Sequence, residues 1–147
     1  MPSPSTTAPV HFAFPAGISL RERSRLKSFL AALFRHEKKP LGELQYVFCS
    51  DSYLLDINRQ YLKHDYYTDI ITFDLSDPGQ PITAEIYISV DRVRENAREF
   101  SSSLQKELHR VIFHGALHLC GYMDKGDLAK KEMRKMEDKY LSLYFKR

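Results

Sequence analysis

No apolar run in this sequence approaches the roughly 20 residues needed to cross a bilayer, which excludes a protein built on membrane-spanning helices. The opening MPSPSTTAPV has neither a basic start nor a continuous apolar segment. It does not read as a secretory leader, and it predicts a flexible lead-in over residues 1–10. Tryptophan is absent, so nine Tyr and nine Phe must supply the large aromatic surfaces. There are only two cysteines, Cys49 and Cys120, far apart within the apolar strings YVFCS and LHLCG. That excludes a disulfide framework and predicts two reduced, buried thiols in a cytoplasmic protein. Net charge is also small. A net +3 permits an anionic partner without demanding one. The one uneven stretch sets Arg21, Arg23, Arg25, Lys27, Arg35, Lys38 and Lys39 against Glu22 and Glu37. A solvated helix face accounts for it as well as nucleic-acid contact does.

What is present fits one domain of 147 residues. HFAF predicts a short first strand before Pro15. From Ser19, Leu20, Leu26, Leu30 and Leu33 with Phe29 and Phe34 mark one face of a helix running to about His36. LQYVFC reads as a strand, followed by a helix that Ser50 or Asp51 caps. TDIITFDL and ITAEIYISV are two more strands, joined through the turn Asp77-Pro78-Gly79. Helical spacing then begins at Asp91, breaks at the serines 101–103, resumes from Leu104 to Leu119, and returns from Leu128 to Tyr144. The expected architecture is a single compact α+β domain over 11–147, with a small mixed sheet covered by helices.

The chemistry concentrates in HGALHLCGYMDKGD, residues 114–127. Residues four apart lie about 40° apart around a helix, so His114 and His118 share a face and can converge on one ion. Gly121 can adopt a left-handed cap, and Asp124 or Asp127 beyond it can supply an oxygen. Two imidazoles, a carboxylate and an open position make a catalytic site for zinc or a similar transition metal, at the end of a core helix. The competing reading is a pair of hydrogen-bonded core histidines beside a helix cap. Gly115 costs the helix about 1 kcal/mol relative to Ala, which points to close approach of another group or to simple helix–helix packing. It also occupies the place where an HExxH protease carries its glutamate base, which disfavours peptide hydrolysis. His109 is off the shared face, and His11, His36 and His64 fall in surface or connecting segments. Cys120 points away from the ligand face.

The segment resembles the signature of the YbeY endoribonuclease family, H-G-x-L-H-L-x-G-Y-D-H, through His114, Gly115, Leu117, His118, Leu119, Gly121 and Tyr122. The resemblance implies a metal held by His114, His118 and a third ligand at Asp124, where the family carries a histidine. Met123 stands at the usual aspartate. INRQYLKHDYYTDIITF is similar to a second family segment through Asn58, Tyr61, Thr68, Asp69, Ile70, Thr72 and Phe73. There Leu62 occupies the position of an arginine that the family uses in RNA cleavage, and Arg59, one turn earlier, is its candidate stand-in. ITAEIYISVDRV resembles the strand and helix start that follow, with Ala84, Glu85 and Ile86 at the family's Gly-Asp-Ile.

The likeness therefore implies a single-strand-specific, metal-dependent endoribonuclease with one Zn2+ or another divalent transition metal. Its substrate would be small-subunit rRNA, its work 3′-end maturation and ribosome quality control, and its partners the small ribosomal subunit and associated proteins. Arg59 would stabilise phosphate and Asp69 would orient neighbouring groups. Aromatic and basic residues in RQYLKHDYY suit base stacking and phosphate contact. Two rivals stand beside it: a non-catalytic ribosome-associated module with a structural metal, and a metal-dependent hydrolase of a small substrate. A closed four-ligand centre marks the first and a narrow enclosed pocket the second, whereas an open groove flanked by Arg or Lys marks an RNA enzyme.

Overall fold

Alternation along the strands decides which side chains face which layer in the computed structural model, which describes residues 9–146. Strands β1 (Val10–Ala13), β2 (Leu41–Cys49), β3 (Ile70–Asp74) and β4 (Ile82–Ser89) form one sheet in the order β1-β2-β4-β3. The first three neighbours are parallel, and β3 adds antiparallel to β4, with Tyr46 opposite Ile86 and Ile70 opposite Ile88. Five helices occur among the described residues: α1 (Arg23–His36), α2 (Asp51–Tyr61), α3 (Val90–Glu99), α4 (Leu104–Leu119) and α5 (Asp127–Phe145). None is long and apolar enough to cross a membrane.

Leu44, Tyr46 and Phe48 of β2 and Ile82, Ala84, Ile86 and Ile88 of β4 turn one way, as a period of two requires. They meet Leu26, Leu30 and Leu33 of α1, Ile112 and Phe113 of α4, and Met136 and Tyr140 of α5. Each such fully buried Leu, Ile or Phe contributes about 1.5–3 kcal/mol. The opposite face is smaller, with Cys49 and Ile71 against Leu54 and Ile57 of α2. Tyr46 is fully buried, and its hydroxyl donates to the Ile112 carbonyl at 2.8 Å, which ties the sheet to α4.

Most boundaries follow local chemistry. Ser50, Ser89 and Ser103 cap α2, α3 and α4 by accepting from Tyr53, Arg92 and Lys106 amides. The Asp77–Gly79 turn closes with Gln80 N–H on Asp77 O, and Gly79 takes φ 77°. Three expectations shift. The first helix starts at Arg23 rather than Ser19, although Leu20 is already buried. The third strand is shorter than TDIITFDL. The lead-in expected over 1–10 lies outside the described residues for 1–8, whereas Val10 is buried and opens β1. Part of the basic run is used inside the fold, with Arg23 over the Phe14 ring and Arg25 over Tyr144. Cys49 and Cys120 are free and buried, and burial pushes their thiols up to about 11 and about 12.

Gly115 has a sheet-side explanation. A Cβ there would sit 2.9 Å from Ile86 Cδ1, 3.0 Å from Ile70 Cδ1 and 3.1 Å from Ile86 Cγ2. The glycine lets α4 lie directly on β3 and β4. Gly115→Val is expected to destabilise the fold by about 1–3 kcal/mol through overpacking, since the helix-propensity gain over glycine is only a few tenths. Gly115→Ala should cost less, because the Ile86 and Ile70 tips can swing aside. A urea midpoint for Gly115→Val equal to wild type at unchanged slope would contradict this account.

Candidate functional site

The last two turns of α4 carry His114 and His118 on one face, and Gly121, at φ 108°, turns the chain back immediately after. The returning segment brings Asp124 to 3.3 Å from His114, measured Nε2 to Oδ2. Both histidines and Asp124 line one open cleft of about 440 Å3. Asp127 does not: it sits in the first turn of α5, where a carboxylate favours the helix N-terminus. Cys120 lies in the core, as its position predicts.

Each imidazole has its Nδ1 engaged by a group that can only accept. His114 Nδ1 donates to Glu137 Oε2 at 2.7 Å, and His118 Nδ1 donates to the Tyr122 carbonyl at 3.2 Å. With Nδ1 engaged in this way, Nε2 of each ring is the nitrogen left for a metal, which takes it without its proton. Glu137 is buried and also accepts from Arg110 Nη1 at 3.1 Å, while Arg110 reaches Asp138 at 2.9 Å. Burial disfavours the His114 imidazolium, but the Glu137 hydrogen bond and the charges of Glu137, Asp69 and Asp124 outweigh it and raise its pKa. Two imidazole nitrogens and a carboxylate suit a zinc-type ion. Among the described residues, however, no three such donors already stand together at metal-holding geometry. Asp124 stands in the connection between α4 and α5 with its side chain 46% exposed, already beside His114.

Asp69 immediately precedes β3, and burial raises its carboxyl pKa against the opposing pull of His114. It borders a second open cavity, about 590 Å3, that shares Thr68, Ile70, His114 and Asp124 with the first. The wall of that cavity is α5, through Lys130, Lys131 and Arg134. Reasoning from the sequence missed these cations and Glu137. For the cations a signal was there: 130 and 134, or 131 and 134, are helical neighbours in AKKEMRKMED.

Arg59 is not brought into either cavity. It lies exposed at the last turn of α2, in a salt bridge with Asp65. Leu62, the residue at the family's arginine position, does line the first cleft, and so does Lys125. The buried amide of Asn58 donates to Tyr66 O at 2.9 Å and so anchors the loop between them. His109 is a core residue: it donates to Gln105 O, stacks on Tyr144 and has its pKa lowered by burial. His11, His36 and His64 are exposed, but His64 borders the first cleft.

The chain is similar to known proteins over most of its length. A family model described as Endoribonuclease YbeY matches residues 18–144. An Endoribonuclease YbeY of Cytophaga hutchinsonii is 51% identical over 124 residues, covering 84% of this chain and 87% of that protein. One of Flavobacterium psychrophilum is 44% identical over 135 residues, covering 92% and 96%. The solution structure of a Thermotoga maritima protein is similar with a TM-score of 0.64 and 29% identity, covering 92% of this chain and 89% of that one. With the match covering residues 18–144, and with His114 and His118 of HGALHLCGY lining the cleft, the chain belongs to the YbeY endoribonuclease family.

Proposed function

We propose that the chain is a metal-dependent endoribonuclease that hydrolyses phosphodiester bonds of single-stranded RNA at the cleft where α4 ends. The observation that carries this reading is the pair of imidazoles whose Nδ1 atoms are both engaged, so that Nε2 of each ring is left for a ligand shared with Asp124. His114, His118 and Asp124 would hold the ion, zinc or another divalent transition metal. Such an ion, when bound, acidifies water and polarises a phosphoryl oxygen. The chain's own side chains do the rest. Glu137 holds the His114 ring, Lys125 places positive charge beside the cleft, and the half-buried Asp69, its carboxyl pKa raised by burial, stands beside His114. Two joined, open cavities with Lys130, Lys131 and Arg134 along one wall favour a strand of RNA over a small enclosed substrate. The substrate in the cell would be small-subunit rRNA during 3′-end maturation and ribosome quality control. The setting would be the cytoplasm, in contact with the small ribosomal subunit.

The test compares cleavage of a single-stranded rRNA fragment by wild type, chelated protein and chelated protein resupplied with zinc. Loss on chelation with recovery on addition supports the reading; full activity of the chelated protein overturns metal dependence. Arg59 belongs in the same assay. Its guanidinium is solvated, paired with Asp65 and outside both cavities, so Arg59→Ala is expected to leave the maximal single-turnover rate unchanged. A fall in that rate at saturating RNA and constant metal content would instead make Arg59 a transition-state contact.

A further inference from the structure

The loop after α2 carries a crowd of rings, and the fold sorts them. Tyr61, Tyr66 and Tyr67 are 64%, 56% and 54% exposed. The Tyr61 ring meets the edge of Phe73, and Tyr67 lies under the Arg92 guanidinium; neither borders either of the two clefts. Tyr66 and His64 do border the histidine cleft. Their rings stack at 5.1 Å between centroids and 20° between planes, and the Tyr66 hydroxyl is 3.0 Å from His64 Nδ1. The pair is held in place from below. Buried Asn58 binds the Tyr66 carbonyl, Asn58 O accepts from the amides of Leu62 and His64, and Lys63 takes the left-handed conformation, φ 56°, that folds the loop back.

A single exposed ring needs no explanation. A prearranged stacked pair on the rim of a functional cleft does. The ligand it suits must have a flat apolar part, and the adjoining cavity adds a second requirement. That cavity shares His114 and Asp124 with this one and is walled by Lys130, Lys131 and Arg134. A molecule lying across both clefts meets rings on one side of His114 and cations on the other. We infer that the Tyr66–His64 pair is a nucleobase-stacking subsite, which seats one base of a single-stranded RNA while the neighbouring phosphates lie against α5. This rests on the RNA-cleaving reading above and adds to it the side of the site on which the base sits. Stacking accepts any base, so the subsite gives grip and register without sequence preference.

The test uses metal-free protein, so that binding is read without cleavage. The probes are a fluorescein-labelled single-stranded oligoribonucleotide and an abasic ribose-phosphate oligomer of the same length, followed by anisotropy. Wild type should bind the intact strand more tightly. Tyr66→Ala should weaken binding of the intact strand by about fivefold or more and leave the abasic oligomer unaffected. Tyr66→Phe, which keeps the ring and loses the hydroxyl, should behave as wild type. Lys131→Ala should weaken both probes alike and lower the salt slope by about 0.7 if one phosphate contact is lost. Folding is not at issue for Tyr66→Ala, because the ring is exposed and the Asn58 bond is to the backbone. Equal affinity of Tyr66→Ala and wild type for the intact strand, or equal losses on both probes, overturns the subsite. Cleavage by metal-loaded wild type is measured alongside. Base-dependent binding without cleavage upholds the subsite and overturns the proposed reaction, whereas cleavage with no Tyr66 effect overturns the subsite alone. A wild type that binds neither probe overturns both.

Discussion

His118→Ala is expected to abolish tight metal binding and RNA cleavage while leaving most of the helical far-UV signal in place. The reason is the division of labour along α4. Ile112, Phe113, Ala116 and Leu117 are fully buried and hold the helix on the sheet, whereas His118 is only half-buried and has Tyr122 O as its hydrogen-bond partner. Removing the ring deletes one of two imidazole donors without opening the main core. The packing loss should therefore fall well below the 2–5 kcal/mol typical of truncating a large buried aliphatic side chain. Circular dichroism, metal content and cleavage measured on one preparation separate the outcomes. If chelating wild type unfolds the whole protein, the ion is structural, because the metal then supplies folding free energy. If His118→Ala cleaves RNA at the wild-type rate, the histidine pair is not the site.

Glu137→Ala is expected to do damage of a different kind, to stability and to metal affinity together. Glu137 is buried between two cationic or hydrogen-bonding partners, Arg110 at 3.1 Å and His114 at 2.7 Å, and the Arg110 side chain is only 12% exposed. Deleting one member of a buried pair leaves the other charge uncompensated, at a cost of about 3–5 kcal/mol. Asp138 still reaches Arg110, which places the loss at the lower end of that range. The His114 ring also loses the acceptor that fixes its Nδ1–H, and such supporting contacts typically carry about 10–100-fold in metal affinity. The two effects are separable. Adding Arg110→Met to Glu137→Ala removes the stranded charge and should restore stability, but it should not restore affinity in competition with a chromophoric chelator. Wild-type metal affinity in the double variant would show that Glu137 serves Arg110 alone.

How far the sequence foretold this can be read from single residues. The Ser50 cap, the break at the serines 101–103, the Asp77-Pro78-Gly79 turn, the end of α4 and the alternation of β4 are all set by neighbours within a few positions, and all of them were legible, whereas the Ser89 cap was not read. The same holds for His114 and His118, because helix geometry alone puts residues four apart on one face. Whatever joins distant segments was not legible in that way. Gly115 announced a close approach, but only the insertion of β3 antiparallel beside β4 made Ile70 and Ile86 the groups that approach. Glu137 lies 23 residues from His114, and nothing in local spacing distinguishes it from the other acids of α5. Arg59 and Tyr66 make the same point in opposite directions. Helical proximity to Leu62 made Arg59 a candidate, yet it turns outward to Asp65, while Tyr66, one of two consecutive tyrosines, is the one the loop brings to the cleft. Local propensity, capping and periodicity act over one or two turns, and so the sequence by itself determined the elements and the histidine pair. Which carboxylate, cation and ring meet that pair depends on strand order and on how α5 and the α2–β3 loop close over α4, and only the tertiary structure decided it.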